Sequence, residues 1–136
     1  MELLTYPKSE YLLDASIESL HAESKEWLRD IEFWKDEMTF FYNILNKKEV
    51  KTAFPTNELA ALEKKLISID SDKIATLRKQ VQSHEQTLMR FVKTLLQDEE
   101  ETYRETHRVL LNEIYTIASL IKDFKKEVFS FVQKYK

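Results

Sequence analysis

Residues 103–131 read YRETHRVLLNEIYTIASLIKDFKKEVFSF, and apolar side chains recur in this stretch at intervals of three and four residues. The series is Tyr103, His107, Leu110, Ile114, Ile117, Ile121, Phe124, Val128, Phe131 and Tyr135, with one histidine among the apolar residues. This spacing places them all on one face of an α-helix. Because Thr102 and Glu105 form a capping-box pattern, we predict that a long amphipathic helix starts there.

The first third of the chain has the same periodicity. Its apolar series is Leu13, Ile17, Leu20, Trp27, Ile31, Trp34, Met38, Phe41 and Leu45, interrupted by one polar residue, Ser24. We predict one helix over residues 9–47, after a short extended leader that contains Pro7. Residues 49–55 break the pattern and predict a loop, and Thr56, Asn57 and Glu58 provide an N-cap for the next helix.

The middle of the chain contains a helical pattern whose phase shifts once. It begins with Leu59, Leu62, Leu66 and Ile69, and it resumes with Ile74, Leu77, Val81, His84, Leu88, Phe91 and Leu95. The shift falls at Asp70, Ser71 and Asp72, so the helix either continues through a stutter or breaks and restarts. We favour the continuous helix because no glycine or proline marks a turn there. The acidic residues 98–101 are predicted to end it.

These patterns predict one all-α domain over residues 1–136, an antiparallel bundle of three long amphipathic helices. A break between Asp70 and Asp72 would give four helices instead. An extended coiled-coil hairpin, which would be an obligate oligomer, is the alternative if the last two helices join without a sharp loop. The chain contains no glycine, the residue that tight β-hairpins and phosphate-binding loops require, so the composition supports the all-α prediction.

Composition excludes several classes of function. The absence of cysteine excludes disulfides, thiolate metal sites and cysteine nucleophiles, and no serine lies in a nucleophile motif. We therefore expect no enzyme activity and no cofactor. Lysine and arginine are scattered in a chain of net charge −3, which argues against nucleic-acid binding. No apolar run approaches the roughly 20 residues that span a bilayer, so we expect a cytoplasmic protein without membrane contact.

The histidines are the candidates for metal binding. Glu18 and His21 have a Glu-x-x-His spacing that resembles one half of a ferritin-like di-iron motif. A fold-back near residue 51 places His84 level with His21, and a second near residue 99 adds Glu113. A ferritin-like or hemerythrin-like carboxylate–histidine site is thus the alternative function. The second half of the motif is missing, because valine and arginine stand three residues before His84 and His107.

A surplus of aromatic residues is the more informative feature. Phe33 and Phe40 are one heptad apart, roughly opposite the predicted core face, and Phe129 belongs to the same end of the bundle. Either residues 56–70 cover them as a fourth helix, or another chain does. We predict a protein that acts through protein–protein contact, with a homodimer or a protein partner bound at these three residues. A small-ligand pocket lined by Trp27, Trp34 and Met38 is a third possibility.

Charge differs between the predicted helices. Residues 9–47 carry four basic and nine acidic side chains, whereas residues 103–136 carry seven basic and four acidic ones. Opposite charges on neighbouring helices favour pairing and fix register. We therefore expect the acidic first helix to pack against the more basic helices of the same chain.

Overall fold

The computed structural model describes residues 16–94 and 97–134, and within these ranges it contains helices and short connections but no strand. The helices are α1 (Ile17–Leu45), α2 (Lys48–Ala53), α3 (Thr56–Ile67), α4 (Ala75–Thr94) and α5 (Gln97–Lys134), and a π-helical segment, Ser68–Ile74, joins α3 to α4. The predicted all-α class is confirmed. Among the helices in these two ranges, none combines the length and apolar character that crossing a bilayer requires.

Cross-helix contacts show that α1 is antiparallel to the π segment and α4. His21 Nδ1 lies 2.7 Å from Glu85 Oε1 near the start of α1. Further along α1, Lys35 Nζ lies 3.9 Å from Asp70 Oδ1. Residue numbers rise along α1 while they fall along its partner, which defines an antiparallel pair.

The last helix runs parallel to α1 and antiparallel to α3. Glu37 of α1 pairs with Lys125 at 2.7 Å, and nearer the start of both helices Glu23 lies beside His107. On the other side of α5, Lys65 of α3 pairs with Glu127 at 2.6 Å. The three long helical stretches therefore run up, down and up, as in an antiparallel bundle.

The core consists of two clusters of buried apolar side chains. The larger one extends over most of the bundle and includes Ile31, Met38, Ile74, Val81 and Phe124. The smaller one lies at the end where α1 begins, and it contains Leu20, Leu88 and Tyr103, with Ile17 packed against it. Three buried polar residues, Ser24, His84 and His107, belong to the same end of the bundle.

The phase shift in the middle helix is a π-helical segment. Residues 56–94 are helical without a break, and the π segment Ser68–Ile74 includes the three residues where the shift was predicted. Ile69 and Ile74 are both buried although they are five residues apart, a spacing that the i→i+5 repeat of a π-helix places on one face. The middle helix therefore continues through a stutter, as favoured from the sequence.

Three predicted boundaries differ from the structure. Ser16 has an extended backbone and its hydroxyl accepts a hydrogen bond from Ser19 N at 3.0 Å, so α1 starts at Ile17 and does not run through from residue 9. Residues 9–15 and the leader with Pro7 lie outside the described residues, as do Leu13, Leu95 and Tyr135.

The predicted loop at residues 49–55 is mostly the short helix α2. It ends at Ala53 because Phe54 precedes a proline and has an extended backbone. The Phe54 ring packs on Phe131 at 5.0 Å between centroids, so this connection closes one end of the bundle. The next helix starts at Thr56 without a side-chain cap.

The last helix begins at Gln97, five residues before the predicted capping box. Glu99, Glu100 and Glu101 lie in its first turns, where carboxylates interact favourably with the partial positive charge of a helix N-terminus. Glu99 also pairs with Arg90 of α4 at 3.3 Å. The acidic run therefore starts α5 and does not end the helix before it.

Candidate functional site: a histidine layer and an aromatic surface

All three histidines lie at one level of the bundle, near the start of α1. Around them are a tryptophan, a tyrosine, a serine and two glutamates. The residues of this histidine layer are His21, Glu23, Ser24 and Trp27 of α1, His84 and Glu85 of α4, and Tyr103 and His107 of α5.

A chain of hydrogen bonds links the two buried histidines to a carboxylate. His84 Nε2 lies 2.9 Å from His107 Nδ1, and His107 Nε2 lies 2.8 Å from Glu23 Oε1. Because an ionised carboxylate only accepts, His107 Nε2–H donates to Glu23. In the tautomer where His107 carries its hydrogen on Nε2 alone, its Nδ1 accepts from His84 Nε2–H, which leaves an acceptor lone pair on His84 Nδ1.

Aromatic rings enclose this chain on both sides. The Tyr103 ring stacks on His84 with centroids 4.2 Å apart and planes within 5°, and Trp27 lies over His107 at 4.4 Å. His84 is 2% exposed and His107 is fully buried. Burial, together with the neighbouring His107, lowers the pKa of His84 to about 4. His84 is therefore neutral at physiological pH.

The layer also concentrates buried polar atoms that lack a hydrogen-bond partner within the described residues. These atoms are His84 Nδ1 and Glu85 Oε2. Tyr103 Oη and Ser24 Oγ are also buried, with only each other as neighbouring polar partners among the described residues. Burial and the nearby Glu85 raise the pKa of Tyr103 to about 12, and the adjacent Ser24 hydroxyl offsets part of that effect. Buried polar groups that lack partners make this end of the bundle intrinsically less stable.

The four side chains of the carboxylate–histidine alternative are not brought together. His84 is paired with His107, while Glu113 lies beside Leu77 and Gln80 in a surface groove. Six residues of helix, about 9 Å, separate Glu113 from His107. Within the described ranges, no three histidine, aspartate or glutamate side chains are placed to hold one ion. The cause is the register of α4 against α5: His84 pairs with His107, whereas a fold-back near residue 99 would have placed Glu113 at that level.

Sequence reasoning found part of this layer. The expectation that His21 and His84 lie at one level is confirmed, since His21 contacts Glu85, the residue next to His84. The sequence prediction did not identify His107 as the partner of His84, nor Glu23 as the partner of His107. A signal was present: Ser24 and His107 are both polar residues within apolar seams, and buried polar residues at one level require each other as partners.

The three candidate interface phenylalanines lie on one side of the molecule. Phe33, Phe40 and Phe129 are 61%, 58% and 57% exposed. The buried Phe41 ring contacts Phe40 at 5.4 Å and Phe129 at 5.9 Å, which joins α1 and α5 beneath this aromatic surface. Residues 56–70 leave Phe33 and Phe40 more than half exposed, so they do not provide the cover that the four-helix alternative required.

The remaining pocket prediction concerns Trp27, Trp34 and Met38. Trp27 and Met38 are buried in the larger core cluster, and Trp34 packs against it. A groove on the described residues lies elsewhere, between α3 and α5, where the ion pairs Lys65–Glu127 and Lys134–Glu58 flank it. These contacts favour a structural role for the two tryptophans and Met38.

Comparison of the chain with protein-family models, with curated proteins and with solved structures finds no match. The class of protein is therefore defined by its own architecture. It is an all-α protein whose long helical stretches run up, down and up around a core that contains a buried histidine pair.

Proposed function

We propose that this protein is a non-enzymatic interaction module that self-associates through the aromatic surface. The observation that carries the proposal is the exposure of three phenylalanines, each more than half accessible, on one side of the bundle. Large exposed aromatic side chains that lie together are typical of protein interfaces, where they supply most of the binding energy.

The energetic argument favours burial of this surface. Burying the apolar surface of one exposed phenylalanine side chain contributes about 1.5–3 kcal/mol to association. In a two-fold dimer each copy buries its own Phe33, Phe40 and Phe129, so the gain is counted twice. The entropy cost of association is about 4–15 kcal/mol, which this total can exceed.

Charge favours a second copy as the occupant. The aromatic surface lies where α1 and α5 adjoin. Helix α1 carries seven acidic and three basic side chains, whereas the last part of α5, residues 120–134, carries four basic and two acidic ones. A two-fold axis that runs through this surface parallel to α1 and α5 would place α1 of each copy against α5 of the other. Acidic side chains then face basic ones on both sides of the axis, which stabilises the complex and orients it.

Light scattering coupled to size exclusion tests the proposal on wild type and on a Phe33→Glu, Phe40→Glu variant. We expect a wild-type dimer and a monomeric variant with unchanged helicity by circular dichroism. The matched control is Ile67→Glu with Met89→Glu, which places two charges at residues 50% and 64% exposed on other helices and should remain dimeric. A wild type that stays monomeric at 1 mg/ml and above, on the order of 0.1 mM, would refute self-association.

Two further parts of the proposal come from the sequence. We place the protein in the cytoplasm, and we assign it no catalytic step. The first is supported by helices that are amphipathic and not uniformly apolar, and the second by the lack of a nucleophile or cofactor motif. Expression with a fluorescent tag would test the location, and a diffuse cytoplasmic signal is the expected result.

A further inference from the structure

We propose that the histidine layer is a proton-operated latch. Proton uptake by His84, at its contact with His107, opens the end of the bundle formed by the start of α1, the end of α4 and the start of α5 when the pH falls below about 6. The larger core keeps the rest of the bundle folded. This inference is independent of self-association, because it concerns a buried cluster and not the aromatic surface.

The latch rests first on the geometry of the pair. The 2.9 Å contact between the two imidazoles holds one hydrogen. With both rings neutral and His107 Nε2–H donating to Glu23, that hydrogen belongs to His84 Nε2. If both rings are doubly protonated, two N–H groups face each other and the bond is lost. If only His84 gains a proton, its Nδ1–H is buried without an acceptor among the described residues.

The charged groups around the pair do not compensate fully for added positive charge. Glu23 of α1 accepts one hydrogen bond from His107 and is the only carboxylate, among the described residues, bonded to the pair. Glu85 of α4 lies beside His21 instead, at 2.7 Å. Arg104 of α5 pairs with Glu100 at 3.0 Å and adds a further positive charge nearby. Tyr103 stacks on His84 as a neutral ring.

Opening is local because, among the described residues, little apolar surface lies beyond the layer. The small cluster of Leu20, Leu88 and Tyr103 closes this end of the bundle, whereas the larger cluster contains most of the buried side chains. A unit held by few buried contacts opens at lower free energy than the whole fold. The layer therefore separates a weakly held end from a strongly held body.

The direction of the pH effect follows from proton linkage. Burial and His107 lower the pKa of His84 from 6.5 to about 4, so the open form, in which the imidazole meets water, binds the proton more tightly. Opening is favoured as pH falls from 6.5 towards 4 and is unaffected above that window. One linked proton raises the ratio of open to closed forms about 30-fold between pH 7.5 and 5.0.

Hydrogen exchange measured by mass spectrometry at pH 7.5 and 5.0, corrected for intrinsic rates, tests the latch. We expect protection in residues 17–27, 84–94 and 97–107 to fall about 30-fold at pH 5.0, while residues 31–45 and 110–131 keep theirs. In a Trp34→Phe variant, which leaves Trp27 as the single tryptophan, emission should shift to the red over the same range. Unchanged protection, or an equal loss along the whole chain, would overturn the proposal.

Substitutions separate the buried pair from the exposed histidine. His84→Gln keeps an amide at this position but does not titrate, so its exchange should not depend on pH in this range. His21→Gln is the matched control: the side chain is 40% exposed and the variant should respond as wild type does. His107→Gln serves if His84→Gln does not fold. A His84 or His107 variant that keeps the full wild-type response would show that the pair is not the sensor.

Discussion

Lys125 of α5 donates from Nζ to Glu37 Oε2 of α1 at 2.7 Å, and the contact joins the two helices beneath the aromatic surface. The two side chains are 31% and 17% exposed, so water screens this pair less than an exposed one. The other oxygen, Glu37 Oε1, is buried without a hydrogen-bond partner among the described residues. Glu37 therefore depends on Lys125 for compensation of its charge.

Lys125→Ala should destabilise the bundle by about 1–2 kcal/mol, because it leaves the partly buried Glu37 carboxylate unpaired. The neighbouring Lys126 is exposed and provides the control. Lys126→Ala should change the free energy of unfolding by less than about 0.5 kcal/mol. Urea denaturation at pH 7 measures both. Equal effects of the two substitutions would mean that the ion pair contributes no more than the surface charge.

The Glu23–His107 hydrogen bond should contribute more to the stability of the fold than the exposed ion pairs near it. Glu23→Ala leaves the buried His107 Nε2–H without its acceptor, and we expect a loss of about 1–3 kcal/mol. Glu26 is 59% exposed and pairs with Arg29 on the same helix, so Glu26→Ala should cost less than about 0.5 kcal/mol. Thermal denaturation of both variants at pH 7.5 compares them. The idea fails if Glu23→Ala is as stable as Glu26→Ala.

The sequence was sufficient for the helices and for the place of the phase shift, but not for the nature of that shift. Apolar residues five apart, Ile69 and Ile74, mark a misfit to α-helical spacing. Either a break in the helix or a π segment would bring both residues onto the core face. Only the packing of α3 and α4 against the same neighbours distinguishes these two alternatives. The start of α5 was ambiguous for a similar reason, since residues 98–101 suit a first turn as well as the capping box does.

The sequence prediction missed the partner of His84 because it misplaced the turn between two antiparallel helices. An error in the position of such a turn shifts the register between the two helices by twice as many residues. The pairing of His84 with His107 puts the midpoint between the paired residues of α4 and α5 three to four residues before residue 99. The residue of α5 that lies opposite a given residue of α4 therefore differs by about seven positions from the predicted one, which is two helical turns or about 10 Å. This shift exchanges Glu113 for His107 opposite His84. Local patterns in a sequence do not determine turn positions to the accuracy that a site requires.

Deletion of one residue should distinguish the π segment from the regular helix. Without the exposed Ser71, Ile69 and Ile74 become four apart, which is α-helical spacing, and both stay on the core face. We expect the free energy of unfolding to stay within about 1 kcal/mol of wild type.

Deletion of the exposed Ser83 from α4 is the control for this experiment. It rotates His84 and Leu88 by about 100° relative to Val81 and removes them from the core, at a cost of about 3 kcal/mol or more. Urea denaturation followed by circular dichroism measures both deletions. If the Ser71 deletion is as damaging as the Ser83 deletion, the π segment does not accommodate an extra residue in the way described.

Tyr103→Phe should change the free energy of unfolding by no more than about 1 kcal/mol at pH 7, because the buried hydroxyl has only the weakly placed Ser24 hydroxyl as a polar partner among the described residues. Above pH 10 the two proteins should diverge. Burial raises the pKa of Tyr103 from 10.0 to about 12, so the unfolded chain releases its proton first and wild type loses about 2–3 kcal/mol between these values. Tyr103→Phe lacks this loss, whereas Tyr42→Phe, at a residue 44% exposed, should follow wild type. Urea denaturation from pH 8 to 11.5 measures the difference, and parallel curves for wild type and Tyr103→Phe would show that the hydroxyl is hydrated in the folded protein.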